Sequence, residues 1–109
     1  MARDDDERVD LRVEGVCGRT SAARLRLRAD DGRIRVDLRV RTSTRGRWRL
    51  AVLHERRIVR RARVRATRAG RGFRYRVVLP DYAGPDAVRL RAASPRGETC
   101  SAAATVSAS

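Results

Sequence analysis

Two cysteines, a single histidine and one run of carboxylates are the residues able by type to do chemistry, and their spacing limits what that chemistry is. Cys17 and Cys100 stand near opposite ends of a 109-residue chain. Neither lies in a Cys-x-x-Cys motif or in a setting that would activate a thiolate, so a structural bridge between them is expected, with two free buried thiols as the alternative. Closing a loop of that length is worth about 4 to 5 kcal/mol in the chain-entropy model. His54 would have to carry a hydrolytic triad or a zinc site alone, and no Gly-x-Ser-x-Gly frame surrounds any serine. A solvated or turn-packing role at a hairpin end is the expectation for it. Asp4, Asp5, Asp6 and Glu7 lack the spaced glycine and distal glutamate of a calcium loop. They read as a flexible counter-charge, so no catalytic set, metal or cofactor is expected and the chain reads as a non-enzyme.

The arginines are the one surface feature strong enough to suggest a ligand. Lysine and arginine together number 27 against 13 acids, a formal net charge of +14, and every one of these cations is arginine. Lysine and asparagine, whose codons are A-rich, are both missing, which points to a GC-rich genome, but codon usage does not explain a twofold excess of cations. A field of that sign steers a protein toward polyanions. Arg24, Arg26 and Arg28 share one parity, as do Arg33, Arg35, Arg39 and Arg41, so each set is expected to line the outer face of a strand. Guanidinium forks match phosphate and carboxylate oxygens in pairs. Like charges directly across neighbouring strands repel, and Asp10, Glu14 and Asp37 are placed to offset part of that.

The elements that must carry these rows are strands. Val9, Leu11 and Val13 alternate with charged residues, as do Ala23, Leu25, Leu27 and Ala29. Asp30, Asp31 and Gly32 read as a tight hairpin turn. Ile34, Val36, Leu38 and Val40 form the most regular alternation, and Trp48, Leu50 and Val52 follow a polar turn at 42–46. Parity slips between Val59 and the series Ala62, Val64 and Ala66, which predicts a bulge near Arg60 and Arg61. Phe73 to Leu79, Val88 to Ala92 and Cys100 to Val106 complete the series, separated by turns at 69–72, 81–86 and 94–97. Seven to eight short antiparallel strands predict an all-β, immunoglobulin-like sandwich over residues 8–106, with an acidic tail at 1–7 and a short tail at 107–109.

Cys17, Trp48, the DYAGPD segment at 81–86 and the GETC ending at Cys100 together resemble an uncharacterised group of secreted, immunoglobulin-like proteins of high-GC actinobacteria. The resemblance implies a disulfide tying the first and last strands and an extracellular or cell-surface site. It departs from antibody domains, whose bridge joins two inner strands across the sandwich. No segment is apolar enough for a transmembrane helix or a signal peptide, so the two cysteines imply that a leader has been removed.

Three functions follow as expectations. The first is a secreted or surface-associated binding or structural module whose arginine-rich faces contact an anionic envelope polymer or lipid. The second is a cytosolic nucleic-acid-binding β-barrel with reduced cysteines. It is opposed by an aromatic content of 4% and by Trp48, Phe73 and Tyr75 falling on core positions, which leaves no stacking platform. The third is a structural subunit that self-assembles through its edge strands.

Overall fold

The computed structural model of the chain describes residues 9–67, 71–82 and 84–107. The acidic run at 4–7 and part of the 69–72 turn lie outside them. A two-residue apolar period makes each strand bury one face, and two such faces must meet to exclude water. Among the described residues the chain solves this with nine strands in two antiparallel sheets: β1 Val9–Glu14, β2 Val16–Cys17, β3 Ala22–Asp30, β4 Arg33–Arg41, β5 Gly46–His54, β6 Arg57–Ala66, β7 Phe73–Pro80, β8 Asp86–Ala93 and β9 Thr99–Val106. One sheet has the order β1-β3-β4-β7 and the other β2-β9-β8-β5-β6.

Nine strands replace the expected seven to eight because the first is two. Gly15 interrupts it, and the chain passes there from one sheet to the other. β1 pairs with β3, whereas Val16 and Cys17 pair with Ser101 and Cys100 on β9. A Cβ on Gly15 would stand 2.8 Å from the Ser101 carbonyl oxygen and 3.0 Å from the Ala23 Cβ. Only glycine lets the chain lie that close to both sheets. Its N–H donates to the Ala23 carbonyl at 2.8 Å, so the crossing leaves that donor satisfied.

The β3–β4 hairpin turns on Asp31 and Gly32, both at positive φ (52° and 73°), which matches the right-handed twist of the strands it joins. β5 and β6 are joined in the same way by Glu55 and Arg56 (φ 54° and 71°), where neither residue is glycine. The β5–β6 register shifts after Val52: Arg60 pairs with Val52 and Ile58 with Leu53, which leaves Val59 as the extra residue of a bulge beside the expected position.

Between the sheets lie Leu25, Leu27, Ile34, Val36 and Val40 from one side and Trp48, Val52, Val88, Leu90 and Val106 from the other, each no more than 1% exposed. Trp48 packs its ring 5.3 Å from that of Phe73, tilted by 55°, and its Nε1–H donates to the Thr44 carbonyl at 3.2 Å. Tyr75, expected in the core, is only half-buried against it.

Cys17 and Cys100 form a disulfide. They are directly opposed in one sheet, with Cα atoms 4.0 Å apart, and the bridge joins the second strand to the last, where the first was expected. It fastens a two-residue strand too short to hold its own place.

Two variants test how the start of the chain is held, each read by urea unfolding followed through Trp48 fluorescence. Gly15→Ala should lose about 1–3 kcal/mol from overpacking against Ser101 and Ala102. Removing both cysteines should lose about 4 to 5 kcal/mol. A change below about 0.5 kcal/mol, the scatter of neutral surface substitutions, would refute the corresponding contact.

Candidate anion-binding faces and the polar ends of the core

Antiparallel pairing sets β3 and β4 side by side, so the seven arginines singled out from the sequence share one outer face. Arg24 pairs with Arg39, Arg28 with Arg35, and Arg26 with Asp37. Arg33 faces Asp30, and Arg41 faces Ala22 at the far end. The face is neutralised in part, since among the described residues only Arg24 and Arg26 of these seven meet a carboxylate within 4.0 Å. Arg26 grips Asp10 on β1 with two hydrogen bonds, Nε at 3.0 Å and Nη2 at 2.7 Å, and this contact holds the Asp10 carboxyl below its ordinary value. Arg24 lies 3.4 Å from Glu14, and Asp37 is approached by both Arg74 and Arg76 of β7, at 3.3 and 3.6 Å. These are exposed pairs of small individual worth, but together they spread carboxylates across the face.

The second sheet is different. Its outer face carries Arg47 and Arg49 on β5, Arg61, Arg63 and Arg65 on β6, and Arg89 and Arg91 on β8, all exposed. No carboxylate stands at an outward strand position of this sheet, and among the described residues none of the seven arginines meets one within 4.0 Å. Arg47 pairs directly with Arg65, and Arg49 with Arg63. Between these rows the floor is small: Ala51, Ala93, Ser101 and Ala103. The face does not stand out as one long row in the sequence, because its arginines are divided between pairs on β5 and β8 and three on β6. Counting acids strand by strand shows it, since β5, β6 and β9 contain none and the one acid of β8, Asp86, points inward.

Two polar clusters close the ends of the core. At one end Glu98, 6% exposed, accepts hydrogen bonds from the Ser21 hydroxyl at 2.7 Å and from the amides of Arg19 and Ser21 at 2.7 and 3.3 Å. Burial alone would raise the Glu98 carboxyl, but these donors, with the charge of Arg19, outweigh it and hold the group below its ordinary value. The Ser21 hydroxyl also lies 2.8 Å from Thr42 Oγ1, and the buried Ser94 hydroxyl accepts from the Glu98 amide at 3.0 Å. Glu98, Cys17 and Cys100 present ligand-type atoms close together, but both sulfurs are spent in the disulfide.

At the other end His54, expected to be solvated or turn-packed, is 3% exposed, and its Nε2–H donates to Asp86 Oδ1 at 2.8 Å. Tyr82 covers the ring, stacked at 4.8 Å with the planes 5° apart. The solvated alternative is thereby corrected: period two carries the inward parity of Trp48, Leu50 and Val52 on to residue 54. Asp81 faces Asp86, and its carboxyl is pushed up by burial, then by the hydrogen bond and charge of Asp86, with His54 opposing. Asp81 Oδ1 and Asp86 Oδ2 are buried without a hydrogen-bond partner among the described residues. The strained Glu55–Arg56 turn is tied to β8 by two bonds: the Glu55 amide donates to the Ala87 carbonyl at 2.9 Å, and the Ala87 amide donates to Glu55 Oε2 at 2.6 Å.

Comparison of the chain with protein-family models, curated proteins and solved structures returns no match. No helix among the described residues is long and apolar enough to cross a membrane.

The two ends should respond oppositely to acid. Glu98, held below its ordinary 4.5, contributes stability that is present above that pH and lost as pH falls through the lowered value. Asp81, raised above its ordinary 3.8, contributes stability that is full below that value and lost as pH rises through the raised one. In urea titrations across the acid range, Glu98→Gln should flatten the loss on the acid side and Asp81→Asn the loss on the rising side. A parent-like pH profile in either variant would show that its carboxyl is not the titrating group.

Proposed function

We propose that this chain is a non-enzymatic, immunoglobulin-like module of the secreted or surface-associated kind found in high-GC actinobacteria, working by adhesion of its arginine-rich sheet faces to anionic envelope polymers. The observation that carries this reading is the outer face of the β2-β9-β8-β5-β6 sheet, where seven arginines stand with no carboxylate among them. Direct arginine pairs such as Arg47–Arg65 and Arg49–Arg63 are repulsive when the face is free and are relieved when an anion lies over them. The fold prefers that such a surface be covered.

The strand order supports the immunoglobulin-like part. With β3 read as strand A, the orders β3-β4-β7 and β9-β8-β5-β6 correspond to A-B-E and G-F-C-C′, and Trp48 then lies on strand C. The disulfide supports an oxidising compartment and counts against the cytosolic reading with reduced cysteines. Nucleic acid is further disfavoured because the arginine face of that sheet carries no aromatic ring on which bases could stack. Self-assembly through edges is opposed by Arg61, Arg63 and Arg65 on edge strand β6 and by Arg74 and Arg76 on edge strand β7, since charged edges resist strand addition.

Adsorption to a cell-wall fraction tests the reading. At low salt most of the protein should sediment with the fraction, and at about 1 M salt, where the screening length falls to about 3 Å, it should be released. A variant with serine at Arg49, Arg61, Arg63 and Arg91 should stay largely soluble at low salt. Equal recovery in the supernatant at both salt concentrations would refute adhesion.

A further inference from the structure

We infer that the depression over Ala51 is a phosphodiester-binding site and that the polymer engaged by this face is a chain of phosphodiester-linked polyol or sugar units. The inference rests on the adhesive reading above and narrows it to one ligand chemistry. Ala51 pairs with Arg61 on β6 and with Arg91 on β8, so its methyl lies between two arginines, each on a strand about 4.8 Å away. Arg49 projects from the same face two residues back along β5, about 6.6 Å off. Ser101, opposite Arg91 on β9, adds a hydroxyl to the rim. The resulting hollow has a volume of about 440 Å³. A side chain longer than alanine at position 51 would fill the space that Arg49, Arg61 and Arg91 line.

Three cationic forks on three sides suit a phosphodiester, whose two anionic oxygens accept hydrogen bonds in directions that fan out of their own plane. A carboxylate has two oxygens in one plane and is satisfied by one fork or two. The hollow is larger than a phosphate group needs, which leaves room for the units on either side of it. Arg63, directly across from Arg49, continues the row for the next charge of a polymer. The floor offers methyl groups and hydroxyls and no ring, which favours a backbone of polyol or sugar phosphates over one carrying bases.

Calorimetric titration of the full chain at about 0.15 M salt tests this with four probes matched in charge: poly(glycerol phosphate), polygalacturonate, single-stranded DNA and phosphatidylglycerol vesicles. Poly(glycerol phosphate) should bind tightest. Arg61→Ser with Arg91→Ser should weaken it by about tenfold or more, as expected for losing charge-assisted hydrogen bonds. Arg91→Lys should weaken it several-fold although the charge is kept, because the fork is lost. Arg45→Ser, in the exposed turn before β5, should leave it within about twofold, allowing for a small change in net charge. All the substituted positions are exposed, and circular dichroism with Trp48 fluorescence checks that the variants are folded. Equal binding of polygalacturonate together with an unaffected Arg91→Lys variant would overturn the phosphate site while leaving the cationic adhesive face intact. Tighter binding of DNA or of the vesicles would overturn the polymer assigned here. Failure of the parent protein to bind any probe would overturn the adhesive reading itself.

Discussion

A strict two-residue alternation governs this molecule, because it decides at once what is buried and where the charge goes. With an arginine at nearly every second position of β3, β4, β6 and β8, a one-residue slip of any of these strands would carry guanidinium groups into the core. The penalty for burying unpaired cations is far larger than the worth of any single contact, so register is fixed more firmly here than in a sandwich with a neutral exterior. Repulsion on the outside is the counterpart of that specification. What holds the sheets together against it lies inside: the aliphatic layers, Trp48 against Phe73, and the bridge at Cys17 and Cys100.

The same period explains the polar ends. Thr42 follows Val40, His54 follows Val52, Ser94 follows Ala92, Asp86 precedes Val88 and Glu98 precedes Cys100, each two residues beyond the apolar run of its strand. All five are buried, and each has a hydrogen bond that stops the interior from opening to water at the sandwich ends. Four of these positions, Thr42, His54, Asp86 and Ser94, read from sequence as turn residues because their chemistry is polar. Their parity says otherwise, and it was the better guide: His54 belongs to the interior by position, and Asp86 supplies the partner that makes its burial tolerable.

Most of the fold was legible because the alternation is so regular. The β3–β4 hairpin, the inward set of β5 and the bulge beside Arg60 all follow from residue types alone. The division of the first strand at Gly15 was not legible, since Val13, Gly15 and Cys17 keep one parity and nothing local shows that the chain changes sheets there. Pairings of residues distant in sequence were equally hidden: the Asp10 contact with Arg26, the two arginines on Asp37, and the bonds from Arg19 and Ser21 to Glu98. The charge asymmetry of the two faces depends on such pairings and on which strands share a sheet. The arginine rows could therefore be found in the sequence but not ranked.

That asymmetry originates in the crossing at Gly15. Before it, β1 joins the edge of the β3-β4-β7 sheet and brings Asp10 and Glu14 onto a face that would otherwise hold only Asp30 and Asp37 against the arginines of three strands. After it, β2 joins the other sheet and contributes Val16, 75% exposed, and Cys17, with no carboxylate for the arginines of β5, β6 and β8. If the chain ran straight on along β3, the second face would lose its short covering strand and the disulfide would have no partner within reach. If it joined β9 from the start, Asp10 and Glu14 would be carried to the second face and the first would lose them. One glycine, placed where no side chain fits, thus lets the same terminal segment bring two carboxylates to one sheet and lock by the disulfide the other, whose outward arginines keep no carboxylate beside them among the described residues.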